Sequence, residues 1–309
     1  MLLTAGLLTY NDGKYAKRCL ETLIAQTGLG ELGKDWQIVV LDNASQDRVF
    51  LARIENEFPN VILEKEEKNH GFGKGHNLIM QSHPADFHAV LNIDALFNPD
   101  FLNKLIEALK DHPHFGSATG KLLQWNFGGH PEKTNIVDST GIEMTRAHAF
   151  KDRDQGKTDT AFTPNEHDAP GVVFGGSGAA TMYRRSALEE VAMNGQYFDE
   201  RMFMYKEDVD LAYRLVSKGH FCLYVPSAIA WHDRTAGSLT GRSKRSAKER
   251  ARSAAHETII LRKHKKQWSR LTKFLTSVRQ FGKWSYLLLF EPRVFFSARK
   301  IIKNFPLNT

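Results

Sequence analysis

The chain has 309 residues, 41% of them hydrophobic, which is enough apolar material for a sizeable core and excludes disorder as its default state. Its two cysteines, Cys19 and Cys222, both lie in apolar segments, which excludes a disulfide framework or a thiolate zinc site and fits a reducing compartment. The net charge of +7 hides an asymmetry: residues 1–233 carry 23 basic and 32 acidic side chains, whereas residues 234–309 carry 19 basic and three acidic ones, so an acidic body precedes a basic C-terminal region.

In chain order, the Met-Leu-Leu-Thr-Ala-Gly opening has no basic flank and reads as the start of a strand over Leu2–Thr9 rather than as a signal peptide, so secretion is not expected. Asn11-Asp12 is positioned to cap a helix whose apolar residues Ala16, Leu20, Leu23 and Ile24 recur at helical spacing. Further strands are predicted at Gln37–Asp42, Val61–Glu66 and His88–Asp94, with helices at Gln46–Phe58 and Gly75–Ser82 between them. This alternation predicts an α/β fold with a mostly parallel central sheet flanked by helices.

Asn98-Pro99-Asp100 predicts a helix start, with Pro at the first helical position and Phe101, Leu102, Leu105, Ile106 and Leu109 on one face. Arg146–Pro170 has little periodicity and predicts a long mobile loop, a candidate lid. Strands return at Ala179–Tyr183 and Phe221–Val225, around a helix near Glu207–Ser217 that Gly219 would end. Near the C-terminus the strongly apolar run Trp284–Phe290 is far below the roughly 20 residues of a spanning helix, so no bilayer span is expected.

Ligands of parallel α/β sheets bind beyond the carboxyl ends of the strands. Polar residues gather at four such ends: Thr9-Tyr10-Asn11, Asp42-Asn43-Ala44-Ser45, Asn92-Ile93-Asp94, and His232 after Ala228–Trp231.

Three segments, Val39–Asp47, Asn69–Asn77 and Phe198–Leu211, occur in order and together resemble the glycosyltransferase family 2 enzymes of GT-A fold, especially their rhamnosyltransferase-like branch, over about residues 4–260. With the charge asymmetry, the resemblance gives a catalytic domain over 1–235, followed by a basic, mainly helical region over 236–309. It implies a nucleotide-sugar donor (dTDP- or UDP-linked) and inverting transfer to a glycan or polyprenyl-linked acceptor. Rhamnose from dTDP-rhamnose leads, with UDP-N-acetylhexosamine and UDP-galactofuranose as alternatives.

On that resemblance Asp42 accepts the ring N–H of uracil or thymine, although a carboxylate there also makes an Asx turn or a helix cap. Thr9, Tyr10, Asn11, Asn69, Gly71, Lys74 and Asn77 are the other donor-side candidates, Lys74 lying in a glycine-rich helix entry suited to the diphosphate or the base. Gly176, Ser177 and Gly178 resemble a small-residue segment that lets sugar and acceptor approach the backbone, and they equally suit a tight turn before a strand. Asn92-Ile93-Asp94 occupies the place of an Asp-x-Asp motif, with Asn replacing the first acid. Strand alternation puts Asn92 and Asp94 on one side. Asp94 and Asn92 are therefore candidate ligands of a divalent cation, Mg²⁺ or Mn²⁺. His232 joins them through the resemblance, in which some relatives supply a metal-binding imidazole from beyond the catalytic acid, and it equally suits a satisfied or solvent-facing histidine.

Glu207-Asp208 resembles the family's acidic pair, in which the second member is the general base. Its place at a helix N-terminus favours the ionised form. Alternatively, Glu207, Asp208 and Asp210 complement the helix dipole, with Asp210 pairing with Arg214. The basic run that includes Arg242, Lys244, Arg245, Lys248, Arg250 and Arg252 would also suit nucleic acid, but no reading module accompanies it and none is expected as a partner. Together with Trp284–Phe290 and Val294-Phe295-Phe296, it predicts peripheral attachment to the cytoplasmic, inner face of the cell membrane, or else a helical cap on the catalytic domain.

Overall fold

In the computed structural model, which describes residues 1–127, 132–159, 170–233 and 246–306, the first half of the chain alternates strand and helix. Strands β1 (Leu3–Thr9), β2 (Trp36–Asp42), β3 (Val61–Lys65) and β4 (Phe87–Asn92) are parallel, in the spatial order β3–β2–β1–β4. Both faces of this sheet are apolar because helices cover both. Leu3, Ala5, Leu7, Ile38 and Val40 pack against α1 (Gly13–Ile24) and α2 (Arg48–Glu57). Val39 and Leu41 meet Ile79 of α3 (Phe72–Ser82) on the other side.

The chain continues through β5 (Ala95–Phe97), α4 (Phe101–Asp111), β6 (Phe115–Asn126), β7 (Glu132–Ser139), β8 (Ile142–Met144), β9 (Phe150–Asp152), β10 (Gly171–Val173), β11 (Ala180–Arg184), α5 (Arg185–Glu190), α6 (Glu207–Ser217) and β12 (Phe221–His232). β11 lies antiparallel between β4 and β6, and β12 runs parallel to β6, which completes a mostly parallel sheet. Between Val225 and Ile229 the β12–β6 register shifts at Pro226, which has no N–H to give the ladder. The bulge brings the Ala228 carbonyl so near Gly120 that a Cβ there would lie 2.3 Å from it. Beyond the bulge, Ala230–His232 also pair with β5, which carries the end of β12 to the turn that holds Asp94.

Three helices follow: α7 (Ala247–His264), α8 (Arg270–Phe290) and α9 (Pro292–Asn304). Ile259 and Ile260 of α7 share a buried cluster with Met202, Val209 and Tyr213, so α7 is packed on the catalytic body. Its small residues Ala251 and Ala255 let Val294 and Ala298 of α9 approach closely. α8 is held mainly by ion pairs, Glu257 meeting Arg279 at 2.7 Å and Lys283 at 3.3 Å, and few of its side chains are buried. Among the described residues no helix is long and apolar enough to cross a membrane.

Several sequence expectations change in detail. The buried face of α4 is the one expected, but Pro99 precedes the helix and Asp100 is its N-cap, with a carboxylate that turns to Lys104 at 2.6 Å instead of capping. Asp12 is the N-cap of α1 without a side-chain capping bond, and α3 begins at Phe72, one turn earlier than the periodicity suggests. The loop expected over 146–170 contains β9, paired with β8; its residues 160–169, like Arg242, Lys244 and Arg245, lie outside the described residues. β6 escaped the sequence reading because its buried side includes Ser117, Thr119 and Lys121, which disguise a core strand.

Candidate active site

The sheet register aligns the site. Thr9 pairs with Asp42, Leu8 with Asn92, and Leu91 with Ala180, so the carboxyl ends of β2, β1 and β4 and the start of β11 form one edge. Thr9 is buried at that edge, Tyr10 is exposed, and Asn11 adopts φ +60°. Asn11 and the Asp42 turn lock together: the Asn11 N–H donates to Ser45 Oγ, and Asn11 Oδ1 accepts from the Gln46 N–H. The Asp42 carboxylate is fully buried and accepts the Ser45 N–H, three residues on, at 3.0 Å, while the cap of α2 is Asp47.

Asn43 joins this turn to the next segment by accepting the His70 N–H and donating to the Gly71 carbonyl. Asn69 Oδ1 accepts the Gly71 N–H. Gly71 itself has φ +79°, and a Cβ there would come within 2.1 Å of the Phe203 carbonyl, so only glycine fits. That carbonyl accepts the Phe72 N–H, which ties the start of α3 to the segment before α6. Lys74 lies 3.5 Å from the Glu200 carboxylate. Asn77 does not face the cleft: its buried amide donates to the Phe198 carbonyl and Glu200 and accepts from the Tyr197 and Phe198 N–H groups, so it builds the 197–200 turn.

Asn92, Asp94 and His232 converge. His232 Nε2 is 3.3 Å from Asp94 Oδ1 and 3.3 Å from the Asn92 amide, and the Asp233 N–H donates to the Asp94 carbonyl. The other ring nitrogen, Nδ1, donates to the buried Asp138 carboxylate at 2.9 Å. Burial alone would lower the His232 pKa, but Asp94 and Asp138 outweigh it and raise it to about 10. Burial and the Asp94 charge together raise the Asp12 pKa as well, a sign of concentrated negative charge at this edge. Among the described residues no three His, Cys, Asp or Glu side chains form a self-sufficient metal site. One carboxylate, one amide and one imidazole oriented by a buried acid are nonetheless a donor set suited to a divalent cation that also takes phosphate oxygens, the cation replacing the Nε2 proton that Asp94 otherwise holds on His232.

Across the edge, the Asn92 N–H donates to the Ala179 carbonyl at 2.9 Å, and one residue earlier the Gly178 N–H donates to Asp208 at 3.3 Å. The Ser177 carbonyl accepts from Thr181 Oγ1, and a Cβ on Gly176 would overlap that hydroxyl, so this segment is a tight turn into β11 as well as the bridge between Asn92 and Asp208. Glu207 and Asp208 form the first turn of α6. Burial and the adjacent Asp208 push Glu207 up to about 8, and among the described residues its Oε2 has no hydrogen-bond partner. Asp208 is also raised, because burial outweighs Lys206 and the Val209 N–H; the expected dominance of the helix terminus is corrected. Asp210 is held far below the usual carboxylate range: burial opposes this, but His264, Arg214 and Lys263 prevail, and the anticipated pairing with Arg214 is present at 3.0 Å.

The sequence model described as "Glycosyl transferase family 2" matches residues 5–192. The chain belongs to glycosyl transferase family 2. A curated family relative, the N-acetylglucosaminyl-diphospho-decaprenol L-rhamnosyltransferase of Mycobacterium tuberculosis, is 29% identical over 244 residues, covering 73% of this chain and 74% of its own. The solved structures similar to this family 2 chain share its GT-A fold. GalNAc-T7 with UDP, GalNAc and Mn²⁺ aligns with a TM-score of 0.67 at 13% identity over 100% of this chain, which spans about half (52%) of that structure. S. aureus TarS 1-349 with UDP-GlcNAc aligns with a TM-score of 0.60 at 16% identity over 99% of this chain and 82% of that one. The Pyrobaculum calidifontis mannosyltransferase PcManGT, with GDP-Man and Mn²⁺, gives 0.56 at 15% identity over 97% and 73%.

This family 2 site also contains residues that sequence reasoning missed. Asp138 precedes His232 by 94 residues and has no motif of its own. Phe203 acts through its carbonyl, which no side-chain pattern reports. Tyr205 and Lys206, directly before the acidic pair, adopt φ +71° and +74°, conformations that neither side chain advertises.

Proposed function

We propose that the enzyme transfers a hexosyl group, with dTDP-rhamnose as leading donor, by single displacement with inversion to a hydroxyl of a polyprenyl-linked glycan precursor. The reading includes peripheral attachment at the inner face of the cell membrane. The rhamnosyltransferase relative, whose name specifies a diphospho-decaprenol acceptor, supports the sugar and the lipid carrier. The observation that carries the mechanism is the Gly178–Ala179 bridge, which sets Asn92 and Asp208 on either side of two residues.

In this mechanism the nucleotide base lies at the ends of β1 and β2, where the Asp42 carboxylate keeps further acceptor capacity beside the Ser45 N–H. Asn92, Asp94 and His232 would hold Mg²⁺ or Mn²⁺, of which Mn²⁺ is present in two of the structural neighbours, and such an ion would neutralise the departing diphosphate. The acceptor oxygen bonds to the anomeric carbon as the bond to the phosphate oxygen breaks. Its proton passes to the Asp208 carboxylate. The raised pKa of Glu207 keeps it protonated beside Asp208, so a second negative charge does not oppose the nucleoside diphosphate.

A UDP-linked donor is the second reading, favoured by the UDP ligands of two neighbours, because a carboxylate at Asp42 treats uracil and thymine alike. Donor-hydrolysis and transfer assays with dTDP-rhamnose, UDP-N-acetylhexosamine and UDP-galactofuranose decide between them. Turnover of dTDP-rhamnose onto an N-acetylglucosaminyl-diphospho-prenyl acceptor, with the anomeric configuration inverted by NMR, is the expected result. Net retention would overturn single displacement.

A further inference from the structure

Away from the cleft, α7, α8 and α9 surround a cavity of about 820 Å³. Trp284 and Phe295 contribute to its apolar wall, and Arg262, Arg299, Lys300 and Lys303 supply four cations, with no carboxylate among the lining residues. None of these four cations has an ion-pair partner among the described residues, and Arg299 stacks 5.5 Å from the Phe295 ring. Four cations facing one space repel each other, so the arrangement favours an anion.

The outer face of α8 adds a second observation. Leu271, Phe274, Val278 and Phe281 recur at three- and four-residue spacing along one side, Leu288 follows two turns further on, and all are exposed, Phe281 at 77%. The opposite side of the helix carries Arg279 and Lys283 into Glu257, so the apolar stripe is fixed outward. Trp284 lies three residues from Phe281 and four from Leu288, which places the cavity wall beside the stripe. Monomeric soluble proteins rarely leave such a continuous apolar strip uncovered.

The geometry points to an anionic-lipid docking surface, in which the α8 stripe lies in the bilayer interface and the adjoining cavity takes the phosphate of an anionic phospholipid headgroup. The inference rests on the reading of a membrane-attached enzyme and specifies the elements and the lipid chemistry. Charge selects the occupant. Residues 270–304 hold eight Lys/Arg and one acid, so a second copy would set like charge against like, whereas an anionic leaflet is complementary. A 21-residue helix with one apolar side and flanking cations suits the plane of an interface rather than a span.

The test is flotation of the full-length protein with vesicles of phosphatidylcholine alone and of phosphatidylcholine with an equal amount of phosphatidylglycerol. Binding is expected only to the mixed vesicles and should weaken as salt rises. At roughly five-fold per cationic contact, Arg299→Glu with Lys303→Glu should weaken it by roughly thirty-fold or more. Phe274→Glu with Phe281→Glu, on the exposed stripe, should also abolish it, with folding checked by circular dichroism. Unchanged vesicle binding by both double variants would overturn the surface. Calorimetric binding of inorganic phosphate without vesicle binding would overturn the lipid source. A dimer in light scattering that Phe281→Glu dissociates, again without vesicle binding, would assign the stripe to a second copy. None of these measurements uses the transfer reaction, so they stand or fall separately from the proposed donor and acceptor.

Discussion

The His256 Nδ1–H of α7 donates to the Tyr205 carbonyl at 2.8 Å, so a helix of the C-terminal region holds the turn from which the Glu207-Asp208 pair begins. The Tyr205 hydroxyl reaches the same helix at Glu249, at 2.6 Å. Two successive non-glycine residues at positive φ cost of order 1–3 kcal/mol each, and α7 supplies contacts that oppose that strain. Burial lowers the His256 pKa, which keeps the ring neutral, with one N–H to donate. His256→Ala is therefore predicted to lower kcat about ten-fold by displacing Asp208, with little change in donor KM. His256→Asn, which retains a donor, should recover part of the rate. Equal changes in kcat and KM, or no rescue, would reduce His256 to a packing residue.

Asp208→Asn is predicted to lower kcat by about 10² to 10⁴ while nucleotide binding remains. The ionised carboxylate is the active form, so the rate falls as pH drops through its pKa. Because burial raises that pKa, the acid limb of kcat/KM should lie above the usual carboxylate value of about 4. An acid limb at or below that value, or normal turnover by the Asn variant, would remove Asp208 from proton transfer.

Glu207 gives a stability prediction of definite sign. Its folded pKa of about 8 lies above the ordinary 4.5, so the folded state keeps a proton that the unfolded state releases between those values. Its stabilisation is complete below about pH 4.5 and is lost as pH rises through about 8, at up to about 1.4 kcal/mol per pH unit. Denaturant unfolding across this window should show a steeper decline for the wild type than for Glu207→Gln. Parallel curves would mean that Glu207 is already ionised in the folded protein.

How much of this was legible in the sequence depended on whether the signal was local. That β1 to β4 run parallel followed from alternating apolar segments, whereas their spatial order did not, and Asn92, Asp94 and His232 were visible as polar residues at strand ends. The bond of Asp42 to the Ser45 N–H was open from sequence, because Asp-Asn-Ala-Ser suits a turn, a cap or a ligand contact equally. Asn77 was misleading for a related reason: its segment resembles a donor-binding one, yet which way an amide points is decided by residues 120 positions later. The Lys263 bridge from α7 to Asp199 and Asp210 was illegible, since a lysine in a basic run gives no sign of reaching a buried acid.

That bridge predicts a stability cost for removing it. Asp210 is fully buried and shared by Arg214, Lys263 and His264, and Lys263 also meets Asp199 at 3.0 Å. Lys263→Met keeps the aliphatic stem but leaves two buried carboxylates with one cationic partner fewer. Since Arg214 and Arg201 remain, a loss of roughly 1–3 kcal/mol is expected in urea unfolding. A neutral result would mean that the apolar contacts of α7 and its hydrogen bonds to Tyr205 hold it without the Lys263 bridge.

Asp138 provides the most specific test of the cation reading, because among the described candidate ligands its hydrogen bond goes to His232. Its hydrogen bond to Nδ1 leaves Nε2 directed at Asp94 and Asn92. Removing a partner that orients a ligating imidazole typically costs about 10- to 100-fold in metal affinity. Asp138→Asn, which keeps the volume and loses the charge, should therefore raise the Mn²⁺ or Mg²⁺ concentration needed for half-maximal transfer by that factor, with near-normal turnover at saturating metal. His232→Ala should raise it at least as much, and the double variant no further than His232→Ala alone, because Asp138 acts through the ring. Asp94→Ala should abolish transfer at any metal concentration, and Asn92→Asp should lower the requirement by adding a charge. A chelator should silence the wild type until metal is restored. Full activity in chelator would sink the cation reading, whereas a double variant much worse than His232→Ala would show that Asp138 serves the site by some route other than the imidazole.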